Sequence, residues 1–175
     1  MNRKRPGRQT RPAYTTKRRS WYGYGKTAQF EKNAFGRFLH DTTSIFGEVS
    51  ILGLPALLVV TATGGPDFYG LTTAVLVAWA TMVVVGTLIR GGWIRPLATD
   101  VLGWVSFSPA LLGLRLVYYN AVLIGAGYGS TTLADAVGVP ALSILAAAVV
   151  AAVATLAFPR LGEDVARWRL EARRR

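Results

Sequence analysis

Apolar residues in this chain come in long runs instead of periodic stripes, and turn-forming residues collect between the runs. Ile45 to Thr63 is interrupted only by Glu48 near its start, and Phe68 to Ile89 carries no charge. As helices these runs reach about 28 and 33 Å, against a bilayer hydrocarbon core of about 30 Å, so each can cross. Gly64-Gly65-Pro66-Asp67 separates them, where glycine frees the backbone, proline removes a donor and aspartate favours local turns. The pattern predicts two antiparallel spans with a very short connection.

Arg90 to Pro96 is the next polar point, a cationic turn with Trp93 suited to headgroup depth. Ala98 to Gly127 is again apolar, but it contains Asp100, Pro109 and Arg115. Two readings compete. One helix begins near Val101 and kinks at Pro109, or Leu97 to Ser108 lies at the interface and a shorter span starts at Pro109. The kinked helix is preferred, because membrane helices accept proline where neighbours satisfy the freed carbonyl. Tyr128 to Asp135 reads as a loop. Ala136 to Phe158 then forms an almost unbroken apolar run that Pro159 is expected to end.

The expected architecture is therefore an all-α membrane protein of four transmembrane helices arranged as two hairpins. Its spans cover about 45–63, 68–89, 101–127 and 136–158. A basic tail, 1–29, is expected to be disordered. An amphipathic juxtamembrane segment, 30–44, and a basic amphipathic C-terminal tail, 159–175, flank the bundle. In the first flank Ala34, Phe35, Phe38 and Leu39 fall at helical spacing; in the second Leu161, Val165 and Trp168 do so.

Charge supplies the orientation. No Lys or Arg occurs from Gly47 to Ile89 or from Leu116 to Pro159. Of the 20 basic residues, 11 lie in residues 1–46, 2 in the Arg90–Arg95 turn and 6 in residues 160–175. Four spans put those three segments on one side, so the positive-inside rule places both termini in the cytoplasm of a multi-pass cell-membrane protein. The net charge of +11 is thus a label of membrane sidedness before it is evidence for nucleic acid. The first apolar run starts too far in, and is too long, for a cleavable signal peptide.

Composition excludes several chemistries. With 51% hydrophobic and 17% charged residues and no cysteine, neither a thiolate nucleophile nor a Cys-ligated metal is available. His40 is the only histidine, so no metal site is expected. Gly23-Tyr24-Gly25-Lys26-Thr27 has the ending of a phosphate-binding loop, but position 20 is serine where that loop needs glycine, and no strand-like apolar run precedes it. No catalytic residue and no cofactor is expected.

Two groups of residues remain. Arg115 is a cation within a span, which costs about 2.5–3.5 kcal/mol on insertion scales unless it faces protein or water. Glu48 and Asp100 are its candidate partners, and Asn120, five residues on and somewhat round the helix, completes a candidate intramembrane polar site. It either snorkels or pairs with Glu48 to fix helix register, or it lines a path for an anion or proton. Arg3, Lys4, Arg5, Arg8, Lys17, Arg18 and Arg19, with Arg173, Arg174 and Arg175, are candidates for contact with anionic lipid headgroups. Trp21, Tyr22 and Tyr24 interleave with the tail cations and suit either the interface or base stacking, so nucleic acid is the minority alternative. Ala147 and Ala151, with Ala148 and Ala152, make small-x-x-x-small pairs that admit a close helix neighbour in the bundle or in a second copy. The expected function is that of a non-enzymatic accessory or scaffold protein contacting anionic lipid or a membrane-protein partner. A small oligomeric transporter using Arg115, and a membrane anchor for nucleic acid, are the alternatives.

Overall fold

A computed structural model describes residues 15–20, 28–99 and 109–172. Four helices dominate: α1 (Ala34–Thr63), α2 (Leu71–Gly91), α3 (Pro109–Val137) and α4 (Leu142–Ala172). All four are long and apolar enough to cross a membrane. A two-stranded antiparallel hairpin, β1 (Lys17–Ser20) with β2 (Ala28–Glu31), precedes them.

Helix α1 starts at a side-chain cap, Asn33 Oδ1 accepting from the Gly36 amide at 2.8 Å. It joins the amphipathic segment and the first span into one element of 30 residues. Its buried face runs Asp41, Ile45, Val49, Gly53, Ala56 and Val60, a spacing of four or three that keeps one side toward the bundle. Helix α2 ends where Gly92 takes φ 76°, with its amide on the Ile89 carbonyl and the Trp93 amide on the Leu88 carbonyl. This left-handed turn closes a Schellman motif that an L side chain would strain.

The third and fourth helices depart from the expected boundaries. Residues 101–108, where the preferred kinked span begins, lie outside the described residues; the described helix has Pro109 as its first residue, a position where the missing N–H costs no hydrogen bond. At its other end α3 continues ten residues past Gly127, through the expected loop 128–135. Ser130, Thr131 and Thr132 do not break it, because their hydroxyls fold back onto the Gly127 and Tyr128 carbonyls one turn earlier. The true stop is Gly138 at φ 72°, with the Val139 amide on the Ala134 carbonyl, a second Schellman closure.

Nor does Pro159 end α4, which runs on to Ala172. Proline removes a donor from the helix ladder, and the adjoining turn finds one elsewhere: the Leu97 amide donates to the Leu156 carbonyl at 2.9 Å. Thr99 Oγ1 bonds Glu163 Oε1 at 3.1 Å, so the segment after α2 is clipped along α4 on both sides of the proline. Ala98 between them sits at φ 55°, a left-handed conformation that costs about 1–2 kcal/mol for an L residue.

Helix α1 packs against α2 and α3, α4 packs against the same two, and α2 and α3 also touch. Small residues line the centre. Ala74, Ala78, Ala126, Ala147 and Ala151 are all fully buried, which lets the backbones approach closely. A Cβ on Gly127 would collide with Val75 Cγ2. Large aliphatic side chains point outward instead, with Ile51 71% and Val117 69% exposed, the distribution expected when the surroundings are lipid and not water. Gly113 and Gly125 also face outward with open space around them.

Candidate functional site

Two acidic residues lie on the buried face of α1, and each collects arginine from other elements. The inner one is Glu48. Helix α3 presents Arg115 and, one turn later, Tyr119 toward it, both buried (0% and 1% exposed). Arg115 Nη1 lies 3.3 Å from Glu48 Oε1, and the Tyr119 hydroxyl donates to the same oxygen at 2.8 Å. Phe158 of α4 closes the far side, with its ring centroid 5.9 Å from the guanidinium carbon and 5.7 Å from the Tyr119 ring. The cation is thus held between a carboxylate and an aromatic face.

Tyr118 anchors the same layer to α4, its ring 5.2 Å from Phe158 and its hydroxyl donating to the Ala154 carbonyl at 2.8 Å. Three helices meet at this layer. Separating a buried pair of this kind leaves a bare charge and costs about 3–5 kcal/mol, although forming it adds little net stability after desolvation.

Asn120, grouped with Arg115 from the sequence, has a different task one turn away. Pro55 lies inside α1 and supplies no amide to its ladder. Next to it Asn120 Oδ1 accepts from the Ala56 amide at 2.7 Å, and Asn120 Nδ2 donates to the Leu52 carbonyl at 2.7 Å. The side-chain amide of α3 is inserted into the backbone ladder of α1, satisfying both groups at the point where proline loosens it.

The outer junction is Asp41, completely buried. Arg18 from β1 grips it with a fork, Nε to Oδ1 at 2.9 Å and Nη2 to Oδ2 at 2.6 Å, while Arg90 Nε at the end of α2 approaches Oδ1 at 3.3 Å. Arg18 Nη1 also donates to the Thr15 and Lys17 carbonyls, at 2.7 and 3.2 Å. Arg18 is therefore turned inward and is not placed for lipid contact, as its membership of a basic run suggested. Lys17 is exposed and opposite Glu31 in the hairpin register.

The expected disorder of 1–29 falls mostly outside the described residues; within them, 17–20 and 28–31 are paired. A lone hairpin is marginal in water, and the Arg18 fork supplies the anchorage that composition does not reveal. Arg3, Lys4, Arg5, Arg8, Asp100, Arg173, Arg174 and Arg175 lie outside the described residues, as does the side chain of Arg19.

Asp41 was absent from the sequence-derived set, yet a signal for it exists. It precedes Ile45 by four residues and Glu48 by seven, so it shares the apolar stripe of α1 instead of its solvent face. Among the described residues no three His, Cys, Asp or Glu side chains are arranged to hold a metal ion.

The chain belongs to the family described as Domain of unknown function (DUF8215), whose model matches residues 32–165. No curated protein and no solved structure matches it.

Proposed function

From a family whose description assigns no activity, we propose that this chain is a non-enzymatic multi-pass membrane protein, an accessory or scaffold subunit whose basic flanks hold anionic lipid headgroups. The observation that carries the reading is the complete burial of Arg115 against Glu48, Tyr119 and Phe158. A cation serving a transport path faces water during the cycle; this one is packed as a pin between three helices. The two-hairpin arrangement with both termini cytoplasmic accompanies the proposal. It is supported by the clustering of Lys and Arg near the start of α1, the end of α2 and the end of α4.

The test uses the full chain in proteoliposomes containing anionic lipid. Proton and chloride flux no greater than that of protein-free vesicles is expected. Anionic lipid should also stay bound through mild detergent, and less of it when Arg3, Lys4, Arg5 and Arg8 are exchanged for Gln. Flux that disappears in a monodisperse Arg115→Ala variant would replace the scaffold reading with transport.

A further inference from the structure

The end of the bundle opposite the arginine junctions carries a cleft of about 550 Å³, within the size range of small-molecule sites. Asp67, Phe68 and Tyr69 from the α1–α2 connection form one wall; Tyr128, Thr131 and Asp135 from the last turns of α3 form the other. The frame is tied together. Ser143 Oγ of α4 donates to the Tyr69 carbonyl at 2.8 Å, Tyr128 and Thr63 hydroxyls lie 3.3 Å apart, and Phe68 meets Tyr69 edge to face at 5.0 Å.

Charge at this end is one-sided. The sequence has no Lys, Arg or His from Gly47 to Ile89 or from Leu116 to Pro159, so nothing in either connection neutralises Asp67 and Asp135. Asp135 also stands in the last turn of α3, where the carbonyl end of the helix dipole already disfavours an anion and favours a cation. An aromatic belt at the interface accounts for Phe68, Tyr69 and Tyr128 one by one, but it needs neither carboxylate. Two carboxylates and three rings around one cleft match the needs of an organic cation, which takes its charge from the acids and its alkyl surface from the ring faces.

We propose that this cleft binds an alkylated ammonium group. The group is supplied either by a soluble amine or by the headgroup of a choline lipid; the cleft reads the same chemistry in both. The inference does not depend on what the basic flanks bind.

The experiment uses the full chain in nanodiscs of phosphatidylglycerol alone, which carries no ammonium, with tetramethylammonium as probe and saturation-transfer NMR as readout. Saturable binding is expected. An Asp67→Asn/Asp135→Asn variant should bind about twenty-five-fold more weakly, from about five-fold per carboxylate near a wet surface. Tyr128→Leu should weaken binding about two- to five-fold, the range of an exposed cation–π contact. If adding phosphatidylcholine to the nanodiscs suppresses the tetramethylammonium signal, the occupant is the lipid headgroup; if it does not, the occupant is a soluble cation. Both outcomes keep the site.

The ligand-free double variant should melt no lower than the parent, since Asp135 opposes the α3 dipole. A lower melting temperature would assign the acids a structural task and overturn the proposal. Non-saturable binding would do the same, as would equal binding by the double variant or equal displacement by potassium at matched concentration.

Discussion

The two buried carboxylates of α1 are both matched to arginine, yet they do different things. Glu48 meets Arg115 by a single 3.3 Å approach and shares its oxygen with Tyr119, inside the layer where α1, α3 and α4 converge. Asp41 is held by the two-toothed fork of Arg18, 23 residues away in a hairpin outside the bundle, and by Arg90, 49 residues away at the end of α2. The first junction joins α1 to α3 through named atoms, a selectivity that hydrophobicity alone does not supply because lipid tails are as apolar as helix side chains. The second fastens an element with little core of its own to the end of the bundle. In both places the arginine and the carboxylate are buried together, so removing either partner leaves a charge without its counterion.

The sharpest way to break this contrast is at the inner junction. Arg115→Ala should lower stability in detergent by about 3–5 kcal/mol, measured by urea unfolding in mixed micelles, because Glu48 is left buried beside a hole. An Arg115→Met/Glu48→Leu double variant should recover most of that loss, since it removes both charges and keeps the volume. A double variant as unstable as Arg115→Ala would show that the pair is not an exchangeable pin.

At the outer junction Asp41→Asn should cost about 1.5–3 kcal/mol, from loss of charge-assisted hydrogen bonds. The effect should be local. Amide exchange should accelerate in 17–20 and 28–31 while α2 and α3 stay protected, and acceleration spread through the bundle would erase the distinction between the junctions.

Asn120→Leu, one turn from the inner junction, should cost about 1–3 kcal/mol by leaving the Ala56 amide and the Leu52 carbonyl without the bridging amide. Faster exchange at Ala56 is the specific sign to look for. The smallest effect is expected from Arg18→Lys, about 0.5–1 kcal/mol, because an ammonium keeps the charge but not the fork that spans both oxygens of Asp41. A loss equal to that of Asp41→Asn would mean that geometry, and not charge, holds the hairpin.

Much of the fold is visible in one dimension. Runs of apolar residues about as long as a bilayer is thick predict helices wherever they occur, and Gly64 to Asp67 punctuates the first two. The errors came at polar residues inside helices. Ser130, Thr131 and Thr132 look like a loop on the assumption that hydroxyls solvate themselves; in apolar surroundings they return to the preceding turn, and the stop moves to Gly138. Pro159 looks like a terminus until the Leu97 amide is found on the Leu156 carbonyl.

The candidate site divides in the same way. Arg115 and Glu48 stand out because a charge in a span is costly and must find company. Arg18 does not, because one arginine in a basic run looks like the next, and only its place opposite Asp41 separates it from its neighbours. Asn120 was singled out, but its work on the broken ladder at Pro55 depends on which helix lies beside it.

Transfer free energy is a sum over neighbouring residues, so the number of spans, their approximate positions and the separation of acidic from basic connections follow from composition along the chain. Pairing is not such a sum. Which arginine reaches which carboxylate, and whether a proline ends a helix or is repaired by another segment, depend on atoms brought together across 23 to 68 residues. Hydrogen bonds and ion pairs act over about 3 Å, so only packed helices can select among the partners that hydropathy leaves equivalent.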